Sequence, residues 1–332
     1  MKRIAIIGAG SWGTALAIMA ARAGRQVSLW TRNSDVVTSI NERRVNPRYL
    51  SPILIPNEVG ATNAMEVAVE QAEMVLFAAP SHAARELFAA LAAHLNEPTI
   101  LVSVAKGIEI ETGKRVSEIA KEFAGSAHQF VCLSGPSFAR EVVAGHPTAI
   151  VAASRHAGAA RAVQNNLSFE NLRIYTNADL IGAELGGSVK NVMAIAAGMA
   201  AGLGFGSNSV AALVTRGLAE ITRLARREGA QMETLMGLAG LGDLVLTCTG
   251  ALSRNRYVGE ELGKGRSLAE ITADLSEVAE GINTARAVKQ LANRSNLEMP
   301  IVNEVSAVLY EGKSPREAVS ELMSRPLREE GG

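Results

Sequence analysis

The sequence predicts an α/β protein: an N-terminal, doubly wound and mostly parallel sheet followed by an all-helical C-terminal region. Three observations indicate this fold. Short apolar runs of buried-strand type alternate with helical patterns over the first half of the chain. A glycine-rich turn joins the first of these runs to the first helix. From residue 179 onward, almost every periodic segment has the spacing of a helix.

The glycine turn connects an apolar strand at residues 4–7 to a helix of small residues at 14–23. Its pattern is G-x-G-x-x-G, with Gly8, Gly10 and Gly13 at the fixed positions. In a Rossmann-type unit these glycines permit the turn, let the backbone approach a pyrophosphate and allow helix and strand to pack closely. The helix N-terminus then offers unpaired N–H groups to the phosphates. The turn therefore predicts dinucleotide binding; the alternative is a tight turn that binds nothing.

The end of the second strand, residues 26–30, bears on which cofactor binds. An NAD-specific fold usually has Asp or Glu about 20 residues beyond the glycines. This chain has Arg32 there, and its first acid is Asp35. A guanidinium can pair with a 2′-phosphate in a bidentate manner. The sequence therefore favours NADPH/NADP, with NADH/NAD possible; the alternative for Arg32 is a solvated arginine.

The remaining elements follow the same alternation. Further strands are predicted at 74–78, 99–104, 130–133 and 148–153, and further helices of this half at 35–44, 85–95 and 111–123. The helices of the second half are predicted at 183–199, 209–227, 267–275, 283–292, 301–310 and 315–323. We therefore predict an NAD(P)-binding Rossmann domain at 1–180 and a helical substrate-binding and catalytic domain at 181–332, with a disordered tail at 328–332.

Composition excludes several classes of function. The 332 residues carry a formal net charge of +0 and a pI near 7.0, so bulk charge predicts neither a nucleic-acid nor a membrane-surface partner. Cys132 and Cys248 are too few for a disulfide scaffold and fit a reducing compartment. The histidines lack metal-ligand spacing, so no metal is expected. No apolar stretch is long enough to span a bilayer, and the expected location is the cytoplasm.

Polar residues that follow strands are the first candidates for chemistry. In an open α/β sheet, ligands bind beyond the carboxyl ends of the strands. Lys106 follows the strand at 99–104, and Gly135-Pro136-Ser137 follows the strand at 130–133. The glycine N–H and the serine hydroxyl could contact a substrate. The alternatives are a solvated lysine and an ordinary turn.

The helical half supplies a second set of candidates. Lys190 lies in a very apolar helix, and burial there would lower its pKa and suit it to proton transfer. Asp243 is the one acid in a glycine-rich apolar stretch, unless it is only a helix N-cap. Ser253, Arg254 and Asn255 combine a hydroxyl, a guanidinium and an amide suited to a phosphate, although Arg254 could be a plain surface residue.

Composition and spacing thus predict a two-domain nicotinamide oxidoreductase that acts on a small anionic compound. Two alternatives stay open. One is a related two-domain, NADP-dependent reductase of 2-keto or 2-hydroxy acids, including the ketopantoate-reducing type. The other is a non-catalytic NADPH-binding sensor, which would need neither the helical lysine nor the Ser-Arg-Asn trio.

Eight segments taken together carry a closer likeness: GAGSWGTALA (8–17), KGIE (106–109), SGPSFARE (134–141), KNV (190–192), GLAGLGDL (237–244), TCT (247–249), SRN (253–255) and EG (280–281). They run through nearly the whole chain. The first is shared with many Rossmann enzymes, whereas the Gly-Leu-Gly-Asp and Ser-Arg-Asn blocks after a Lys-Asn helix are specific. The chain resembles the family of bacterial NAD(P)-dependent glycerol-3-phosphate dehydrogenases.

The resemblance implies interconversion of dihydroxyacetone phosphate and sn-glycerol 3-phosphate, which feeds phospholipid synthesis. It implies that Lys190 donates the proton in reduction and accepts it in oxidation, while Lys106 touches substrate and cofactor. It also implies a homodimer. The residues implied to bind substrate are Lys106, Gly135, Ser137, Lys190, Asp243, Ser253, Arg254 and Asn255. Those implied to bind cofactor are Gly8, Gly10, Ser11, Trp12, Gly13, Arg32, Tyr49, Lys106, Ala139, Arg254, Val278 and Glu280.

Overall fold

The computed structural model describes residues 1–95, 98–275, 277–327 and 329; the predicted tail at 328–332 lies outside them except for Glu329. The first half forms one sheet. Its strands are β1 (Arg3–Ile7), β2 (Gln26–Trp30), β3 (Val59–Thr62), β4 (Met74–Phe77), β5 (Ile100–Ser103), β6 (Gln129–Ser134), β7 (Thr148–Ala153) and β8 (Leu172–Asn177).

The order of the strands indicates where a ligand is expected to bind. It is β3-β2-β1-β4-β5-β6-β7-β8, and all neighbours are parallel except β6 and β7. The chain leaves β1 toward β2 and β3 on one side and continues from β4 on the other. The direction of winding thus reverses between β1 and β4, and ligands of doubly wound sheets bind at such a point.

Helices cover both faces of the sheet, which explains why β1 is a continuous apolar run. Ile4 and Ile6 pack into one core with Leu16, whereas Ala5 and Ile7 pack into the opposite core with Phe88. The helices of this half are α1 (Ser11–Arg22), α2 (Ser34–Thr38), α3 (Met65–Val69), α4 (Ala84–Ala92), α5 (Val116–Ala124), α6 (Ala139–Val143) and α7 (Ala157–Leu167).

The second half is helical and is built around one central helix, α8, in which almost every residue is buried. Its helices are α8 (Leu180–Gly202), α9 (Ser207–Arg227), α10 (Met232–Met236), α11 (Asp243–Thr249), α12 (Arg254–Gly263), α13 (Leu268–Asp274), α14 (Glu280–Arg294), α15 (Pro300–Tyr310) and α16 (Pro315–Met323). Among the described helices, none combines the length and apolar character needed to cross a membrane. The predicted fold class is confirmed.

Some predicted elements differ from the structure. The predictions omitted β3, a short strand that contains a glycine, and β8, whose outer face is exposed. The helix predicted from residue 111 begins only at Val116, because residues 109–114 form a turn in which Gly113 has a φ of +76°. The helix predicted at 35–44 is α2 followed by a π-helical segment at Ser39–Arg43. The helices α3, α6, α7, α10, α11 and α12 were also missed; most are short, so few of their residues repeat an apolar period.

Candidate functional site

The glycine turn lies at the carboxyl end of β1 and begins α1. Gly8 has a φ of +118°, and a Cβ there would lie 2.8 Å from the Ala78 backbone. A Cβ on Gly13 would overlap the Gly8 carbonyl oxygen, so α1 and the turn after β1 are packed too closely for any residue except glycine. Around Gly10, in contrast, an added Cβ meets nothing within 4 Å. The turn is therefore an open cradle whose helical N–H groups have no side-chain cap, and it fits the pyrophosphate of NAD(P)H.

We expect Gly10→Ala and Gly13→Ala to separate cofactor binding from folding. Gly10→Ala places a methyl group in the open cradle, so NADPH affinity should fall about tenfold while thermal stability changes little. Gly13→Ala forces α1 away from β1 and should lower the free energy of unfolding by about 1–3 kcal/mol. Thermal melts and NADPH titrations of both variants check this. Unchanged NADPH affinity in Gly10→Ala would remove the turn from the cofactor site.

The loop that carries Tyr49 is tied to the glycine turn by Asn46. Buried Asn46 donates from Nδ2 to the Ala9 carbonyl at 3.0 Å and to Thr14 Oγ1 at 2.9 Å. Its Oδ1 accepts from the Tyr49 N–H at 3.3 Å. Trp12, in the first turn of α1, packs against the core that contains Ile4 and Leu16. The structure therefore brings Trp12 and the Tyr49 loop to the turn, as cofactor contacts would require.

Arg32 follows β2 and stays at the surface, with a side chain that is 61% exposed. Its NH1 lies 3.5 Å from Glu86 Oε1. An exposed ion pair of this kind contributes at most about 1 kcal/mol. Arg32 can therefore exchange the Glu86 carboxylate for a phosphate.

Two lysines, one from each half of the chain, share the carboxylate of Asp243. Lys106, which follows β5, donates from Nζ to Asp243 Oδ2 at 2.7 Å and to the Gly135 carbonyl at 3.1 Å. Lys190, on α8, donates from Nζ to Asp243 Oδ1 at 2.6 Å and to Thr247 Oγ1 at 2.6 Å. Asp243 is the first residue of α11, so the N-cap alternative is wrong. Two cations around one anion leave a positive charge suited to an anionic substrate.

The Lys190 amine is buried, and this burial lowers its pKa to about 8. The Asp243 carboxylate opposes the shift, and the nearby Lys106 ammonium adds to it. Within the described part of the chain, the acceptors of Lys190 Nζ are Asp243 and Thr247, and an ammonium has three N–H groups. One N–H therefore remains for a substrate oxygen, on a group poised near neutral pH to give or take a proton.

The Gly-Pro-Ser turn lies directly against the lysine cluster, which consists of Lys106, Lys190 and Asp243. Gly135 has a φ of +135°, and a Cβ there would lie 3.0 Å from Ile150 Cα, so the turn requires glycine. The Gly135 carbonyl, which Lys106 contacts, also accepts from Ser137 Oγ at 2.9 Å. Ala139 begins α6 immediately beyond the turn. The turn therefore needs glycine for its backbone shape, and its Gly135 carbonyl is also a hydrogen-bond partner of the lysine cluster.

Close helix packing brings α12 to the lysine cluster. A Cβ on Gly198 of α8 would overlap the Arg256 carbonyl oxygen, and one on Gly259 of α12 would overlap the Ile195 carbonyl oxygen. The two backbones are therefore in contact. They run in the same direction, because Asn191 of α8 meets Asn255 at the start of α12, and Gly202 meets Gly263 at the ends of both helices. This parallel alignment places the N-terminus of α12 beside Lys190.

The Ser-Arg-Asn trio occupies that N-terminus, and its members differ in their contacts. Ser253 caps α12, with Oγ accepting from the Arg256 N–H at 3.2 Å. Asn255 is buried; its Nδ2 donates to Asn191 Oδ1 at 3.0 Å and its Oδ1 accepts from the Gly281 N–H at 2.9 Å. Arg254 is half-exposed. Arg254 therefore presents its charge to the surface of the site, whereas the amide of Asn255 joins α8, α12 and α14.

The loop between α13 and α14 reaches the strand ends of the sheet. Glu280, the first residue of α14, accepts from the Ser81 N–H at 2.6 Å and from the Lys106 N–H at 3.2 Å. Val278 is exposed, and its carbonyl accepts from Arg254 NH1 at 3.0 Å. Glu280 thus fastens this loop to the segments after β4 and β5.

Sequence reasoning missed several residues of this site: Asn46, Asn191, Thr247 and Glu277. Thr247 had a local signal, because it lies four residues after Asp243 and so on the same face of α11. Asn191 adjoins Lys190, and its Nδ2 donates to the Lys106 carbonyl at 2.9 Å. The contacts of Asn46 with the glycine turn, and of Glu277 with Ser11 and Arg254, join segments far apart in the chain and leave no local pattern.

Known proteins resemble this chain in sequence over most of its length. The family model for the NAD-dependent glycerol-3-phosphate dehydrogenase N-terminus matches residues 3–160, and that for the C-terminus matches residues 179–320. Glycerol-3-phosphate dehydrogenase [NAD(P)+] of Koribacter versatilis is 52% identical over 330 residues, covering 98% of each chain. The corresponding Myxococcus xanthus protein is 49% identical over 330 residues, covering 99% of this chain and 98% of its own.

A solved structure agrees over the same extent. The crystal structure of glycerol-3-phosphate dehydrogenase from Coxiella burnetii is 40% identical, covers 98% of this chain and 99% of its own, and superposes with a TM-score of 0.94. The resemblance seen in the sequence is therefore confirmed. From the family models, the full-length relatives and the shared fold, the chain belongs to the NAD-dependent glycerol-3-phosphate dehydrogenase family.

Proposed function

We propose that the protein reduces dihydroxyacetone phosphate to sn-glycerol 3-phosphate with NADPH or NADH, and catalyses the reverse oxidation, feeding phospholipid synthesis. The observation that carries this proposal is the Lys190 amine. It is buried, has a pKa lowered to about 8, and lies on the helix, α8, that packs against the segments following β5 and β6. Asp243 and Thr247 fix its position, and Lys106 adds a second cation from the sheet side.

The cofactor site in this proposal is the cradle of Gly8, Gly10 and Gly13, with the cofactor residues named from the resemblance around it. When bound there, the nicotinamide supplies a hydride to C2 of the ketone. The Lys190 ammonium donates its remaining N–H to the carbonyl oxygen and stabilises the charge that develops on it. Its proton then passes to that oxygen, leaving the neutral amine, and in oxidation the same amine accepts the hydroxyl proton.

The other residues hold the substrate and the lysines. Lys106 and Lys190 pair with the two oxygens of the Asp243 carboxylate, and this shared anion holds the two ammonium groups close together despite their mutual repulsion. Arg254, at the N-terminus of α12, is suited to the phosphate because a guanidinium matches phosphate oxygens. Ser253 and Asn255 shape the end of that helix, and the turn at 135–137 borders the opposite side.

The experiment that tests this function is NADPH oxidation with dihydroxyacetone phosphate, repeated with NADH. A 2-keto acid series at equal concentrations is the control for the carboxylate-reducing alternative. We expect turnover with the phosphorylated ketone and none with the keto acids. NADPH binding without turnover of dihydroxyacetone phosphate would contradict the proposal.

We expect Arg32→Ala to weaken NADPH binding about tenfold and NADH binding hardly at all, because NADPH alone carries the 2′-phosphate. The matched control is Glu86→Gln, which frees Arg32 from its surface partner and should leave NADH binding unchanged. Dissociation constants from cofactor fluorescence titrations measure both. Equal losses of affinity for the two cofactors in Arg32→Ala would show that Arg32 does not recognise the 2′-phosphate.

We propose that residues 1–180 are the NAD(P)-binding Rossmann domain and 181–332 the helical catalytic domain. Support comes from the chain itself: β8 ends at Asn177, and α8 begins at Leu180 with Asp179 as its cap, Oδ1 accepting from the Gly182 N–H at 2.9 Å. A cytoplasmic location is also proposed. Its support is that both cysteines are buried free thiols, as in a reducing compartment.

We propose that the protein forms a homodimer. The helical half exposes several large apolar side chains, and exposed apolar groups are typical of protein–protein contacts. Light scattering on the eluting protein should give about twice the 34.9 kDa of one chain, and a monomer would contradict the proposal. The exposed side chains include Phe205, Met236, Val245, Leu252 and Tyr257.

A further inference from the structure

Glu277 has no role in the proposed reaction, yet its side chain makes two contacts with residues of the site. It lies in the loop between α13 and α14, and its side chain is 19% exposed. One carboxylate oxygen, Oε2, lies 2.5 Å from Arg254 NH1. The other, Oε1, accepts a hydrogen bond from Ser11 Oγ. A single carboxylate thus bridges the glycine turn of the sheet and the N-terminus of α12.

Both partners of this carboxylate are groups that an anion would use. Ser11 begins α1, so its hydroxyl lies at the open cradle that fits a pyrophosphate. Arg254 is the cation assigned to substrate phosphate and cofactor. A carboxylate and a phosphate accept from the same donors, and two anions brought close together repel each other. The Glu277 contacts and the phosphate contacts therefore exclude one another.

We propose that Glu277 is an internal competitor for the anion site, and that it sets a weaker cofactor affinity than Ser11 and Arg254 would give alone. This inference rests on the proposed function. Glu280 and Val278 anchor the same loop through other contacts, so Glu277 can leave Ser11 without release of the whole loop. The opposite role is that Glu277 positions Arg254 for the cofactor, and the two roles predict changes of opposite sign.

The test is direct cofactor binding to Glu277→Gln, which keeps the shape of the side chain and removes its charge. We expect the dissociation constants of NADPH and NADH both to fall about fivefold, since loss of an ion pair of this exposure corresponds to about 1 kcal/mol. The two cofactors should gain equally, because the cradle receives the pyrophosphate that they share. The matched control is Glu311→Gln, which removes the same charge from the exposed pair with Lys289 and should leave both constants unchanged.

Thermal melts supply a second readout. Glu277→Gln loses a contact between the two halves of the chain, so its Tm without cofactor should not exceed that of the wild type. Its rise in Tm on adding NADPH should be larger than the wild-type rise, as tighter binding requires. Weaker or unchanged NADPH binding in Glu277→Gln, with normal binding to the wild type, would overturn the competition while leaving the proposed function intact. Failure of the wild type to bind NADPH would overturn both.

Discussion

Replacement of Lys190 by alanine is expected to lower kcat for dihydroxyacetone phosphate reduction by about a thousandfold, a typical loss for a positioned proton donor. The physical reason is that the developing alkoxide loses both its nearest positive charge and its proton source. Lys106 is not expected to substitute, because its Nζ occupies a different position, at the other oxygen of Asp243 and at the Gly135 carbonyl.

NADPH affinity in the same variant should stay close to wild type, because the hydrogen bonds of Lys190 go to Asp243 and Thr247 of α11 and not to the glycine cradle. Stopped-flow turnover and NADPH titration on one preparation measure both quantities. Lys190→Met is the matched variant, since it keeps most of the aliphatic stem and removes only the ammonium. Turnover near the wild-type rate in either variant would exclude Lys190 from proton transfer, and loss of NADPH binding would indicate a structural role instead.

Replacement of Asp243 by asparagine is expected to lower kcat for reduction at pH 7.5 by about a hundredfold and to move its pH dependence. Burial lowers the pKa of Lys190 to about 8, and the Asp243 carboxylate limits that shift. Without this charge, burial and the Lys106 ammonium meet less opposition, so the pKa of Lys190 falls further.

The direction of the pH shift follows from which form of Lys190 each reaction needs. Reduction needs the ammonium, so its kcat/KM should fall as pH rises through about 8 in the wild type and at lower pH in Asp243→Asn. Oxidation needs the free amine, so its kcat/KM should rise through the same values. Thr247→Val is the control: it removes a neutral hydrogen-bond acceptor of Lys190 and should move the profile less. A profile of Asp243→Asn that stays in place or moves to higher pH would contradict the assignment.

The sequence alone determined the features that depend on neighbouring residues. A buried parallel strand must be apolar on both faces, so β1 was visible as a continuous run, and the glycines after it had to fit a strand–turn–helix unit. A lysine among the apolar residues of α8 was visible because a charge is costly to bury. The family's residue blocks supplied the specific activity that spacing could not.

Only the tertiary structure decided how those residues meet. Lys106, Lys190 and Asp243 are far apart in the chain, and no periodicity indicates that one carboxylate serves both lysines. The edge strands β3 and β8 escaped prediction because an edge strand need not be apolar on both faces. Asn46, Glu277 and Glu280 act through contacts with residues far away in the chain. Local patterns record which face of an element is buried, whereas contacts between elements depend on how the helical half packs against the sheet. That packing brings the charged groups of the candidate site together.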